Sequence, residues 1–146
     1  MMVPATPRLV AAQAVENGLY ALFASDPELA GLAPGGVFRD AGDQDATTPY
    51  VVYQHERGTR QYVLGGNAGG YRPVSFQIKA VDQSEDAGAA FAVKQRVTEL
   101  LESGQLVVEG YRVINVMEVE DIEYDERGES NQVWQHVGSH WEVTVQ

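Results

Sequence analysis

Residues 133–146 read VWQHVGSHWEVTVQ, and they contain two of the three histidines, His136 and His140, four positions apart. On a helix that spacing puts both imidazoles on one face, close enough to share a metal ion. On a strand they share a face but lie about 13 Å from each other, at roughly 3.3 Å per residue. The stretch alternates. Val133, Gln135, Val137, Ser139, Trp141, Val143 and Val145 fall on one side, and Trp134, His136, Gly138, His140, Glu142 and Thr144 on the other. This period of two predicts a strand at a sheet edge or interface, with the histidines among polar and aromatic residues of its less buried face. Only a bulge at Gly138 would draw the two imidazoles together. Trp134 and Trp141 then stand as anchors for another subunit, because tryptophan is enriched at interface centres.

Period and turn residues place the segments around this strand as well. DERGES, residues 125–130, reads as the turn before it, and residues 106–124, LVVEGYRVINVMEVEDIEY, have strand character. Both sides are apolar at 113–117, which predicts a central strand covered on both faces. Residues 118–129 hold Glu118, Glu120, Asp121, Glu123, Asp125, Glu126 and Glu129 against Arg127 alone. Such a run reads as a solvated hairpin tip, or as a surface that repels nucleic acid or meets a basic partner. VSFQIKAVD, 74–82, alternates cleanly and predicts a half-buried strand. Ser84 follows as the cap of a helix over 85–103, whose apolar side is Ala90, Phe91, Val93, Val97, Leu100 and Leu101 and whose stop is Gly104. YVVYQHERG, 50–58, reads as a strand and VFRD, 37–40, as a short one. Thr6-Pro7 predicts the start of a first helix with an apolar face of Ala11, Ala12, Val15, Leu19, Leu22 and Phe23, ended at Ser25-Asp26-Pro27. The order is helix, strands, helix, strands, with no repeated βαβ unit. It predicts a single α+β domain over 1–146: a mostly antiparallel sheet of four to five strands, with two main helices on one face.

Composition removes whole classes of chemistry. There is no cysteine, hence no disulfide, thiolate nucleophile or cysteine-held metal. The net charge of −11 offers little to grip phosphates, and it is uneven: residues 1–73 carry 7 acids and 5 bases, residues 74–146 carry 14 and 5. No apolar run approaches the roughly 18 residues that span a membrane. The N-terminus reads as a helix rather than a leader, since Gln13, Glu16 and Asn17 interrupt it. GGNAGG, 65–70, lacks the lysine and hydroxyl of a phosphate loop, and Tyr71-Arg72-Pro73 lead into a strand instead. The loop's flanking Arg57, Arg60 and Arg72 make it the least acidic part of the chain, suited to docking between like subunits or to a neighbouring protein. No GxSxG, HExxH or DxDxDG occurs. The expectation is a protein without catalysis, cofactor or metal.

Three stretches together carry a resemblance: PYVVYQHERG (49–58) with the glycine-rich excursion after it; YRPVSFQIKAVDQSEDAGAAFAVKQRVTELLESG (71–104); and HVGSHWEVTVQ (136–146). Over about residues 6–146 this resembles the tail terminator, or tail completion, proteins of long-tailed bacteriophages and gene transfer agents. The matching positions are Pro49-Tyr50, Tyr71, Phe76, Ile78, the helix 85–103 and His136 through Val145. The resemblance implies a subunit of a hexameric ring that caps the tail tube, ends tube polymerisation and offers a surface to head and neck connector proteins, with DNA passing through unbound. It places the protein at the head-proximal end of the virion tail and, during assembly, in the host cytoplasm. On this reading Arg57, Arg60, Tyr62, Tyr71, Arg72, Trp134, His136, His140 and Trp141 serve subunit and tube contacts, and the 118–129 acids face the channel or a partner. The competing readings are a neck adaptor or minor tail protein, and a small metal- or ligand-binding α+β domain.

Overall fold

The alternating stretch at the C-terminus is a strand in the computed structural model, which describes residues 9–42, 45–56 and 70–146. The elements are α1 (Ala11–Ala24), α2 (Pro27–Leu32), β1 (Val37–Arg39), β2 (Tyr50–His55), β3 (Arg72–Gln83), α3 (Gly88–Glu102), β4 (Val113–Arg127) and β5 (Val133–Val145). The five strands form one sheet in the order β1-β2-β3-β5-β4. β1 runs parallel to β2, and every other neighbour pair is antiparallel. This is the expected α+β class, with the helices on one face of a mostly antiparallel sheet.

The alternation of β3 and β5 explains the core. Phe76 and Ile78 of β3 and Val137, Trp141 and Val143 of β5 point to the helices, where they meet Val15, Leu19 and Phe23 of α1 and Val93, Val97 and Leu101 of α3. Gly138 sits opposite Lys79. A Cβ there would stand 2.1 Å from the Ile78 carbonyl oxygen, so glycine at this position permits close approach of the two strands and marks no bulge between them. On the opposite face Tyr50, Val52 and Val81 form a smaller cluster, with Phe38, Ala46 and Trp134 against it.

Two expectations about the sheet are overturned. β5 is not an edge strand, for it bonds β3 on one side and β4 on the other. β4 is the edge, and its apolar segment 113–117 is not a covered centre. The register shifts between Val113 and Asn115 and between Glu118 and Glu120, which leaves Ile114 and Val119 without partners in β5. Each extra residue resets the alternation, so apolar residues fall on both sides without both sides being buried. The turn is also later and shorter than DERGES. β4 continues through Arg127, and the chain reverses over 128–132 with Asn131 at φ 67°.

Helix starts moved as well. α3 begins at Gly88, three residues beyond the expected start. Ser84 Oγ accepts from the Asp86 amide and Asp86 Oδ1 from the Gly88 amide, so these side chains build a turn ahead of the helix. Phe91 points outward from α3 instead of into the core. α1 starts at Ala11 after Val10, and the expected cap at Thr6-Pro7 lies outside the described residues. Asp26 caps α2 through the Leu29 amide and takes two bonds from Arg96 of α3, at 2.9 and 2.8 Å. The hydrogen bonds from that guanidinium hold the Asp26 carboxyl below the usual carboxylate range.

Candidate assembly surface

β4 distributes its acids by the pleat. Glu118, Asp121, Glu123 and Asp125 stand opposite Trp141, Ser139, Val137 and Gln135, on the helix side of the sheet. Glu120 and Glu126 stand opposite His140 and Trp134, on the other side. All six are exposed. They line an edge strand and are not gathered at a hairpin tip; Glu129 alone lies in the turn. Asp121 accepts from Lys94 Nζ of α3 at 2.9 Å and from Ser139 Oγ at 3.3 Å. The Lys94 hydrogen bond draws its carboxyl below the ordinary value. Among the described residues, Glu118, Glu120, Glu123 and Asp125 have no ion pair.

On the face away from the helices β4 is pinned to β5 and β3. The Tyr124 ring stacks on His136 with centroids 4.4 Å apart and an interplanar angle of 8°. Lys79 Nζ donates to the Tyr124 hydroxyl at 2.8 Å. His136 Nε2 lies 2.6 Å from Glu126 Oε1, while its Nδ1 is buried and, among the described residues, has no partner. Burial pushes the His136 pKa down, and the Lys79 ammonium adds to this against the pull of Glu126. The imidazole is therefore neutral at pH 7 and donates from Nε2–H. Protonating Nδ1 would bury a donor with nothing to receive it. Among the described residues no hydroxyl bonds that nitrogen, so the pair has an orienting carboxylate and, there, no nucleophile to activate. Its work is to hold the edge strand.

His140 bonds a different carboxylate, Glu56, through Nδ1. The two histidines are thus committed to separate partners and are not brought together. Among the described residues no group of three histidine or carboxylate side chains is placed to hold a metal ion, and no helix is long and apolar enough to cross a membrane.

The sequence-predicted contact residues separate by location. Arg57, Arg60 and Tyr62 lie outside the described residues. Tyr71 and Arg72 are exposed where β3 begins, and Trp134 and His140 are half-buried on the face away from the helices. Trp141 is different. It is 2% exposed and belongs to the core, so its indole packs this subunit and does not anchor another. What the sequence reading missed is the outward apolar content of β4. Ile114, Met117, Val119 and Tyr124 are all exposed, Val119 at 58%. The signal of this outward content in the sequence is the apolar residues on both sides of 113–117, which a doubly covered strand would show equally. Beside it, Phe91, Ala92, Gln95, Thr98 and Glu99 of α3 and Glu118 of β4 line a groove of about 570 Å³.

A family model described as tail completion protein gp17 matches residues 17–143. Several solved structures share the fold. A chain from the virion of a native gene transfer agent particle superposes with a TM-score of 0.70 at 16% identity, covering 94% of this chain and 98% of that one. The gp17 protein of bacteriophage SPP1 superposes with a TM-score of 0.56 at 18% identity, covering 94% and 91%. No curated protein matches the chain.

Proposed function

The chain belongs to the tail completion protein gp17 family, whose model spans most of its length, and on that premise we propose that copies of it close into a ring, hexameric in the simplest case, that caps the tail tube. Family membership gives it a structural role in a virion tail. The finer reading is that the ring halts addition of tube subunits, presents its other face to head and neck connector proteins, and assembles in the host cytoplasm as one domain over 1–146. The observation that carries this is the family match over 17–143.

Capping is a matter of surface difference. One face must match the end of the tube, and the other must refuse a further tube subunit. A ring forms when a head-to-tail contact closes on rotation. Tyr71, Arg72, Trp134 and His140 are the described candidates for subunit and tube contacts, with Arg57, Arg60 and Tyr62 in the adjoining stretch. No step needs a nucleophile, a metal or a cofactor. The −11 charge supports passage of DNA through the centre, because a wall without free cations gives phosphates nothing to hold.

The test is polymerisation of tube protein with and without the purified chain, followed by electron microscopy. The expected result is arrested tube length with a ring at one end. Tubes that elongate unchanged at excess protein overturn the reading.

A further inference from the structure

Among the described residues, the outer edge of β4 takes no part in the fold. β4 is the last strand of the sheet, so one of its edges bonds β5 and, among the described residues, no strand takes up the other. A fifteen-residue edge presents a row of backbone donors and acceptors to any strand that approaches. Along it stand Ile114, Met117 and Val119, all exposed, two of them at the register shifts. Scattered apolar residues on a surface need no explanation, but three along one open edge mark a contact.

Charge decides what can make that contact. Two copies of β4 cannot pair with each other, because carboxylates would face carboxylates across the ladder. The occupant must be cationic. This chain contains such a stretch: between Glu56 and Asp82 it has Arg57, Arg60, Arg72 and Lys79 and no acid. In its own subunit Arg72 is two strands away from β4, paired to Val145, whose other neighbour is Val113.

Resting on the ring reading above, we infer that the outer edge of β4 receives the arginine-bearing stretch 57–72 of a second copy, with Glu118, Glu120 and Glu123 selecting the arginines and the exposed apolar residues supplying contact area. The two surfaces differ, so the contact is head-to-tail and closes into rings, whereas a two-fold pairing of β4 with itself is refused by like charge.

Two triple variants test this. One carries Glu118→Lys, Glu120→Lys and Glu123→Lys; the other carries Arg57→Glu, Arg60→Glu and Arg72→Glu. Circular dichroism checks that each is folded, and assembly is read by sedimentation velocity in solution and by microscopy on tube ends. Each variant alone should need at least about tenfold more protein to assemble than the wild type. An equimolar mixture should recover assembly, because every edge then meets a stretch of opposite sign in an alternating ring. A mixture that stays unassembled overturns the inference and points to a contact within one chain. Either variant assembling like the wild type overturns it too, while leaving the ring itself standing. A wild type that remains monomeric both in solution and on tube ends overturns the ring reading as well.

Discussion

At the scale of single residues the two tryptophans separate stability from assembly. Both sit on β5, seven positions apart, and therefore on opposite faces. Trp141 faces the helices within the core, whereas Trp134 packs at the rim of the smaller cluster around Tyr50, Val52 and Val81. Trp141→Ala should cost about 3–5 kcal/mol in urea unfolding, the range for a large aromatic removed from a core. Trp134→Ala should cost less than half of that and weaken assembly instead; equal losses of stability would contradict the placement of the two rings. His136 makes a second prediction, in pH. Its folded pKa lies below the ordinary 6.5, so as pH falls the unfolded chain takes up the proton first. Stability from the neutral imidazole is fully present above about pH 6.5 and is lost as pH drops through the lower folded value. Glu126 and Tyr124 of β4, Lys79 of β3 and Tyr50 of β2 are the titratable groups around this face. His136→Phe keeps an aromatic ring against Tyr124 but removes the titration. Between pH 7 and 5.5 its urea midpoint should fall less than that of the wild type, and parallel slopes would show that His136 is not held neutral.

At the scale of elements, β3 and β5 were legible in the sequence, whereas β4 was legible as a strand but not as an edge, for one physical reason. Alternation identifies a buried face only while the ladder keeps its register. Val74, Phe76, Ile78 and Ala80 alternate without interruption and are buried together. In β4 the unpaired Ile114 and Val119 each shift the phase, so a run that looks apolar on two sides is a bulged edge. Sheet order is hidden for a related reason: nothing in the composition of 133–145 says whether one or both of its edges are paired. The late start of α3 was hidden by Ser84 and Asp86, whose side chains suit a helix cap and a polar turn equally well. Gly138, read as the place where a bulge would lie, marks close strand approach. Gly138→Ala should therefore push β3 and β5 apart at Ile78 and Lys79 and cost about 1–3 kcal/mol in urea unfolding. A variant as stable as the wild type would show that the ladder relaxes at this point without loss.

At the scale of the whole molecule, charge decides how the proposed ring would treat DNA. A protein that surrounds DNA without holding it must deny phosphates a set of cations, since nonspecific affinity comes from Lys and Arg displacing counterions along the backbone. Among the described residues several cations are already taken: Arg39 by Glu16, Lys94 by Asp121, and Arg96 by Asp26, Glu28 and Glu99. Lys79 is turned onto Tyr124. The arginines of 57–72 are the largest remaining cationic group in the sequence, and if they meet β4 of a neighbour the assembled ring is more strictly acidic toward DNA than the free subunit. This sets an order of affinities. The free chain should bind duplex DNA only at low salt and release it by about 150 mM, where even ordinary nonspecific binders hold DNA at no better than roughly 10⁻⁴–10⁻⁶ M. The assembled ring should bind less than the free chain at every salt concentration. Fluorescence anisotropy of a labelled duplex, titrated with monomer and with ring fractions, measures both. A ring that binds more tightly than the subunit, with affinity falling steeply in salt, would mean that the arginines line the channel instead of closing the ring.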